Sequence, residues 1–126
     1  MDIKSLDHLV LTVNNIQTSV LFYCDILGMQ HITFGENRHA LKFGSQKINL
    51  HQADNIFLPA ANSPTSGSAD LCFIVSTPVE QMINELSEAE INIIDGPVER
   101  TGANGRLISI YIRDPDLNLI ELSNCI

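Results

Sequence analysis

The sequence predicts an α+β fold built from two tandem βαβββ modules, and three observations predict it. Residues 6–13 (LDHLVLTV) are similar to residues 68–75 (SADLCFIV), and each run leads into a helix start. Residues 47–51 (KINLH) are similar to residues 118–123 (NLIELS). The predicted strands also agree on one apolar and one polar face. A unit of about sixty residues that occurs twice implies two copies of one supersecondary arrangement, related by pseudo-twofold symmetry.

The first module begins with an alternating strand over residues 7–13. Asn14 and Asn15 offer N-cap oxygens to the helix that follows. Apolar residues in this helix are spaced by four, three and four positions, which is typical of an amphipathic α-helix, and Gly28 supplies the left-handed residue that ends it. Turns rich in Gly, Ser and Asn then separate three predicted strands, over residues 30–34, 39–43 and 47–51.

The second module repeats this plan after a stretch rich in Ala, Asn, Ser and Pro. Residues 77–80 (TPVE) predict a capping box with Pro at the first helical position. Residues 100–106 predict a long polar loop. The predicted strands cover residues 70–75, 91–94, 107–113 and 119–123. We expect a single domain over residues 1–126, with a first module over about 5–52, a linker over 53–67 and a second module over about 68–126.

The first and last strands of each module divide in the same way between an apolar and a polar face. Because successive side chains of a strand point to opposite sides, residues two apart share a face. One face is apolar throughout and is expected to pack under the helices. The other face carries His8, Asn49, His51, Asp70 and Glu121. Imidazole and carboxylate groups are the ligands of Zn²⁺, Ni²⁺, Mn²⁺ and Fe²⁺, so this face predicts a divalent-metal site.

Composition argues against several other classes of function. The formal net charge is −8, whereas a protein that binds a nucleic-acid duplex needs a basic surface to displace counterions. No apolar run approaches the roughly 18 residues that a membrane span requires. Residues 1–5 lack the plan of a signal peptide, and three widely spaced cysteines indicate no disulfide framework. We therefore expect a cytoplasmic protein that binds a small molecule, without nucleic-acid or membrane partners.

Several segments together carry a resemblance to a known family. Residues 6–13, 22–29 (FYCDILGM) and 114–122 (DPDLNLIEL) are similar to motifs of the vicinal oxygen chelate superfamily, which includes glyoxalases, bleomycin-resistance proteins and extradiol dioxygenases. Within it, the chain resembles a small subgroup of glyoxalase-domain, or virulence-associated lactoylglutathione-lyase-like, proteins. The segments that carry this narrower likeness are 46–51 (QKINLH), 67–73 (GSADLCF) and 96–103 (GPVERTGA).

The resemblance implies a cup-shaped mixed sheet, usually paired with a second chain, with one divalent metal ion in the cup. His8 matches the ligand on the first strand and Glu121 the carboxylate ligand on the last. Two positions depart from the family pattern. Asn49 stands where glyoxalase I has Glu, with His51 two residues further on, and Asp70 stands where the second repeat usually has His.

We therefore expect one ion of Zn, Ni, Mn or Fe, with His8, His51 and Glu121 as ligands. Asp70 is expected either to hydrogen-bond a ligand histidine or to act as a general base, so Glu121 and Asp70 are the candidate catalytic residues. Asn49, Arg100 and Tyr111 are the candidate substrate-binding residues, because an amide oxygen is a weak ligand for these metals and Arg suits carboxylate recognition. The alternative is a polar cup that binds its ligand without metal.

The function implied is that of a metal-dependent lyase or isomerase of the glyoxalase type, acting on a small oxygenated substrate such as a glutathione hemithioacetal. An extradiol-type dioxygenase is the first alternative, and iron would favour it. A binding protein that sequesters a small molecule, as in the bleomycin-resistance branch, is the second. We also expect a homodimer, since a curved sheet leaves strand edges that proteins tend to pair or cover.

Leu117 is a further departure from the family pattern. Relatives commonly carry Gly in the corresponding Asp-Pro-Asp-Gly-Asn turn. If this turn requires a positive φ, Leu costs about 1 kcal/mol there.

Overall fold

Both halves of the chain fold as βαβββ modules in the computed structural model, which describes residues 1–126. Residues 1–67 form one compact unit (unit 1) and residues 68–126 form a second (unit 2). Each unit has one four-stranded mixed sheet and one helical segment, so the predicted α+β class and the two modules are confirmed. The single-domain organisation and the cup remain predictions. None of the helices is both long and apolar enough to cross a membrane.

Unit 1 contains four strands and one helix that continues into a π-helical turn. The elements are β1 (His8–Val13), α1 (Ile16–Leu21), the π-helical turn (Phe22–Ile26), β2 (Gln30–Phe34), β3 (Arg38–Phe43) and β4 (Gln46–Gln52). The sheet order is β1–β4–β3–β2. β1 and β4 are parallel, and the other neighbours are antiparallel. The stretch predicted as a linker belongs to this unit, and it starts with a hydrogen bond of 2.8 Å from Ala53 N to Val13 O.

The helix of unit 1 begins and ends as predicted, but its second half is wound differently. The side chain of Asn15 accepts a hydrogen bond from Thr18 N at 3.0 Å, and Gly28 has a φ of +76°. The backbone N–H of Leu27 bonds to the carbonyl of Phe22, five residues back. This wider turn buries two consecutive aromatic side chains, Phe22 and Tyr23, whose rings lie edge to face at 5.0 Å.

Unit 2 repeats the topology, with longer second and third strands. The elements are β5 (Asp70–Ile74), α2 (Val79–Glu88), β6 (Asp95–Gly102), β7 (Gly105–Arg113) and β8 (Leu119–Cys125). The sheet order is β5–β8–β7–β6, with β5 and β8 parallel. α2 packs on β7, where Met82 and Leu86 of the helix and Ile110 and Ile112 of the strand are buried. The apolar face of the sheet therefore lies under the helix, as the alternation predicts.

The predicted capping box at the start of α2 is wrong. The N-cap residue is Pro78, which makes no side-chain cap, and Thr77 contributes only its backbone carbonyl. Asn124 of β8 takes over this role: its Oδ1 accepts a hydrogen bond from Val79 N at 2.8 Å. Its Nδ2 donates to the carbonyls of Val75 and Thr77 at 2.8 and 2.9 Å. The backbone N–H of Val79, which has no partner within the helix, is therefore hydrogen-bonded by a side chain of β8. The sequence near residues 77–80 does not indicate this distant partner.

The strand predicted over residues 91–94 and the polar loop predicted over residues 100–106 are also wrong. β6 runs through Gly96-Pro97, with a register shift between Asp95 and Val98. Gly96 has a φ of +93°, and a Cβ there would clash with the carbonyl oxygen of Ser109. A Gly at this bulge lets the strand continue beside β7, and only Ala103 and Asn104 remain outside the two strands. Arg100 therefore lies on a strand.

Leu117 adopts the left-handed conformation that the family's Gly suggested, with a φ of +68°. The turn is held by the carboxylate of Asp114, whose Oδ1 accepts hydrogen bonds from the backbone N–H groups of Asp116 and Asn118 at 2.9 Å. The Leu117 side chain is 67% exposed, so burial does not compensate for the backbone strain.

We expect Leu117→Gly to be more stable than Leu117→Ala by about 1 kcal/mol, because Ala removes the exposed side chain but keeps the Cβ that disfavours a positive φ. Urea unfolding of the two variants at equal protein concentration measures the difference. Equal stability of the two variants would show that this turn carries no strain from Cβ.

Candidate functional site

The polar face of unit 1 carries three of the predicted site residues. In the register of β1 and β4, His8 lies opposite Lys47, Val10 opposite Asn49, and Thr12 opposite His51. Residues that lie directly opposite each other on paired strands point to the same face. His8, Asn49 and His51 therefore lie on one side of the sheet, as predicted. Their environments differ. The His8 side chain is 43% exposed, whereas Asn49 and His51 are buried, at 5% and 3% exposure.

His51 has the properties of a ligand-binding imidazole. Its Nε2 is buried and has no hydrogen-bond partner, and its ring lies edge to face with the ring of Phe57 at a centroid distance of 5.5 Å. Burial, followed by the positive charge of Arg38, lowers the pKa of this imidazole. His51 is therefore neutral at pH 7. A neutral imidazole has one unprotonated nitrogen, which can bind a metal ion or accept a hydrogen bond.

His8 and Asn49 each have a polar atom suited to a ligand. His8 Nδ1 lies 2.8 Å from Asp7 Oδ2, and this hydrogen bond is the main reason that the pKa of Asp7 is lowered. A carboxylate on one ring nitrogen orients the other, which is a common arrangement behind metal-binding histidines. Asn49 Oδ1 is buried without a hydrogen-bond partner. The donor set of unit 1 thus fits either a cation or a polar ligand.

Glu121 is the centre of the polar face of unit 2. The hydroxyl of Ser109 donates to Glu121 Oε2 at 2.7 Å, and the hydroxyl of Ser123 donates to the same oxygen at 3.2 Å. Burial raises the pKa of Glu121, but hydrogen bonds from Ser109, Tyr111 and Ser123 outweigh it, so the pKa is lowered. Glu121 is therefore a carboxylate at neutral pH, held in place by two fully buried serines.

Arg100 and Tyr111, the predicted substrate-binding residues of this unit, lie together beside Glu121. Arg100 Nε donates to the hydroxyl of Tyr111 at 2.9 Å, and its guanidinium carbon lies 5.5 Å from the centroid of the tyrosine ring. Burial raises the pKa of Tyr111, the bond from Arg100 lowers it, and Glu121 raises it again. The net direction is upward, so Tyr111 keeps its proton at neutral pH and can donate to a carboxylate or a ligand oxygen.

Two clefts of unit 2 share Arg100 and Glu121 in their walls. One has a volume of about 410 Å³ and is also lined by Cys72 and the β6–β7 hairpin. The other has a volume of about 490 Å³ and is also lined by Asp70 and Tyr111. Asp70, the predicted base, thus faces the same space as the carboxylate that we expect to bind metal. Clefts of this size accommodate a small-molecule ligand.

Several residues of these surfaces were missed by sequence reasoning. Ser123 follows Glu121 by two positions on the same face, so the alternation signalled it, but its role as a hydrogen-bond donor did not follow. Arg38 was missed because the predicted third strand began one residue too late. Phe57 lies in the stretch predicted as a linker, where nothing in the sequence indicates a contact with His51.

Within neither unit are three or more His, Cys, Asp or Glu side chains grouped so as to hold a metal ion. The predicted ligand set draws on both units, with His8 and His51 from unit 1 and Glu121 from unit 2. It therefore stays a prediction. The individual donors nevertheless fit a divalent ion, because His51 is a neutral imidazole and Glu121 an ionised carboxylate.

A family profile matches residues 5–122, and its description reads Glyoxalase/Bleomycin resistance protein/Dioxygenase superfamily. The chain belongs to this superfamily. The resemblance predicted from the sequence motifs is confirmed. The glyoxalase superfamily unites several activities, so membership establishes the fold but neither the activity nor the substrate.

Three glyoxalase-superfamily relatives extend over nearly the whole chain. Virulence protein STM3117 of Salmonella typhimurium is 58% identical over 123 residues, which are 98% of this chain and 85% of that protein. Its crystal structure matches with a TM-score of 0.98 at 57% identity and covers 100% of both chains. Glyoxalase domain-containing protein RDO1 of Mycosarcoma maydis is 49% identical over 124 residues, 98% of this chain and 70% of that protein. Metallothiol transferase FosB of Staphylococcus epidermidis is 32% identical over 123 residues, 97% of this chain and 82% of that protein.

Cys72 offers a reporter for the charge of Glu121. Its pKa is raised chiefly by burial, lowered by a hydrogen bond with Ser123 and raised again by Glu121. We expect Glu121→Gln to lower this pKa and so speed alkylation of Cys72 by iodoacetamide at pH 8, since the thiolate is the reactive form. Mass spectrometry of the Cys72 peptide measures the rate, and Glu88→Gln on α2 serves as a control of equal charge change. An unchanged rate in Glu121→Gln would contradict the close coupling of the two groups.

Proposed function

We propose that this protein is a metal-dependent lyase or isomerase of the glyoxalase type, acting on a small oxygenated substrate. The observation that carries the proposal is the ionised Glu121 carboxylate, fixed by Ser109 and Ser123 at a cleft that Asp70 also lines. A carboxylate with a purely structural role does not require an open cleft beside it. A metal ligand or a general base requires both a negative charge and a cleft through which the ion or the substrate can reach it.

His8, His51 and Glu121 would hold the metal ion. When bound, a divalent ion polarises a substrate carbonyl as a Lewis acid. The neutral state of His51 supports its role, because a protonated imidazole cannot coordinate. FosB is by name a metallothiol transferase, and its similarity over 97% of this chain supports both a metal and a substrate derived from a thiol, such as a glutathione hemithioacetal.

The chain's own residues would bind the substrate and move its proton. Asp70 is suited to take a proton from a substrate carbon, because its exposed carboxylate lines the 490 Å³ cleft together with Glu121. Arg100 and Tyr111, joined by a hydrogen bond of 2.9 Å, would bind an oxygen-rich or anionic part of the substrate. In unit 1 the amide of Asn49 would bind a further polar group, since its Oδ1 is buried without a partner.

Metal content and substrate assays test the proposal. Protein purified without chelator is analysed for bound elements, and its melting temperature is followed on addition of Ni²⁺, Zn²⁺, Mn²⁺ or Fe²⁺. We expect about one ion per chain and turnover of a methylglyoxal–glutathione hemithioacetal. Cleavage of a catechol by the iron-loaded protein would instead assign the dioxygenase activity. Absence of stoichiometric metal, with no thermal shift on adding any of the four ions, would overturn the metalloenzyme proposal in favour of a binding protein.

We also propose that the protein acts as a homodimer in the reducing cytoplasm. All three cysteines are free thiols, which supports a reducing compartment. The outer strands of the two sheets support pairing with a second chain. Light scattering at micromolar concentration tests the dimer, and a monomeric mass would contradict it.

A further inference from the structure

Two cations in unit 1 are arranged around one aromatic ring. The guanidinium carbon of Arg38 lies 5.2 Å from the centroid of Phe34, and Lys47 Nζ lies 4.0 Å from the same centroid. Arg38 also lies 4.5 Å from the centroid of Phe57. All four side chains are half-buried, and Phe34 and Arg38 form a cross-strand pair of β2 and β3. These contacts order both cationic side chains on the surface of the sheet.

Neither cation has a carboxylate within ion-pair distance, although acidic residues outnumber Lys and Arg by 15 to 7. Two of the three arginines of unit 2 differ in this respect. Arg106 bonds to both oxygens of Glu99 at 2.8 Å, and Arg100 lies 3.7 Å from Asp95. In unit 1 the charge of Lys47 contributes to the lowered pKa of the Asp7 carboxyl group. That carboxylate is hydrogen-bonded to His8 instead, with Asp7 Oδ2 2.8 Å from His8 Nδ1.

The strand register adds further positive charge to this surface. Lys47 lies directly opposite Lys42 in the pairing of β3 and β4, and like charges in this position destabilise a sheet. Arg38 is close enough to the buried His51 for its charge to contribute to the lowered pKa of that imidazole. The ring of His51 also contacts Phe57, and its Nε2 has no hydrogen-bond partner. An ordered group of unpaired cations beside an unpartnered buried nitrogen is typical of a site whose counter-charge comes from a ligand.

We propose that Arg38 and Lys47 form a binding site for an oxyanion group, a carboxylate or a phosphate, of a small-molecule ligand. Phe34 and Phe57 hold the two cations in place, and Arg38 supplies the planar N–H pair that such groups accept. The site is built from unit 1 alone and requires neither a metal ion nor Glu121. It therefore goes beyond the proposed function and can stand or fall separately from it.

Titration with simple anions, followed by two-dimensional ¹⁵N–¹H NMR, tests the site. Inorganic phosphate and succinate are added in separate titrations to the chelator-treated and the as-purified protein, against sodium chloride at equal ionic strength. We expect saturable shifts of the Phe34, Arg38 and Lys47 amides in both preparations. Arg38→Gln and Lys47→Gln should each weaken the binding about fivefold or more. The anion that binds more tightly identifies the group that the site prefers.

Lys4→Gln is the matched control, because it removes one positive charge from the same unit outside the cluster. We expect it to change the affinity less than about twofold, as for a screened surface charge. The chloride-only spectra of each variant verify its fold. Equal losses in Lys4→Gln and Arg38→Gln, or shifts that do not saturate, would overturn the site. Binding that disappears with chelator and is insensitive to Arg38→Gln would assign the anion to a metal ion and would likewise overturn it.

Discussion

Replacement of Glu121 by Gln is expected to weaken metal binding about a hundredfold or more and to abolish turnover. The substitution keeps the shape of the side chain and its place among Ser109, Tyr111 and Ser123, but it removes the negative charge. Because the serines donate to Oε2, a neutral amide oxygen can still accept their hydrogen bonds. The loss would therefore come from the charge and not from collapse of the site.

The measurement is a metal titration monitored by melting temperature, together with the hemithioacetal assay. Glu88→Gln, an exposed position on α2, is the control for the change in net charge. If Glu121→Gln retained stoichiometric metal and activity, Glu121 would be a structural acceptor for two buried serines, and the metal ligands would have to be sought elsewhere.

The face on which the functional residues lie could be predicted from sequence because period-two alternation is a local property. His8 and Glu121 each occupy a strand whose other face is apolar, and a shift of one residue would expose that apolar face to water. The structure places both residues on the polar faces as expected. The type of residue at each position also indicated its chemistry, since imidazole and carboxylate groups are the usual ligands of divalent transition-metal ions.

Contacts between distant residues were beyond sequence reasoning. Asn124 caps α2 from 45 positions further along the chain, and no local pattern at residues 77–80 reveals that the capping box is unused. The position of β6 depends on the bulge at Gly96, which lets a Gly-Pro pair lie inside a strand where the pair ordinarily marks a break. Because Arg100 was predicted to lie in a loop, its hydrogen bond with Tyr111 was not predicted. The two residues lie on the neighbouring strands β6 and β7, which brings their side chains together.

The pairing of cations with aromatic rings was also hidden. Phe34 and Arg38 flank the turn between β2 and β3, and each is a common residue in a hairpin. Only the fold brings Lys47 and the linker residue Phe57 to the same place. The anion site inferred for unit 1 is thus a property of the tertiary structure, whereas the candidate metal ligands were visible in single strands.

Replacement of Asn118 by Ala is expected to lower the free energy of unfolding by about 3 kcal/mol. Asn118 is fully buried and immediately precedes β8. Its Oδ1 accepts a hydrogen bond from Ala69 N at 2.8 Å, and its Nδ2 donates to Asp114 Oδ2 at 2.8 Å. Alanine would leave a half-buried N–H and the buried carboxylate of Asp114 without this partner, and loss of a hydrogen-bond partner is costly for groups that water does not freely reach.

The same residue connects stability to the site, because it fixes the entry of two neighbouring strands. Ala69 precedes Asp70 on β5, and Asn118 is three residues before Glu121 on β8, so their bond sets the register that brings the candidate base and the candidate ligand to one cleft. Asn118→Asp should be no better than alanine, since it removes the donor and sets a second carboxylate against Asp114. Urea unfolding measures the loss, and Asn104→Ala in the exposed β6–β7 turn should change stability by less than about 0.5 kcal/mol. A loss below about 1 kcal/mol in Asn118→Ala would mean that water replaces the side chain at this position, and that the turn, not Asn118, holds the two strands in register.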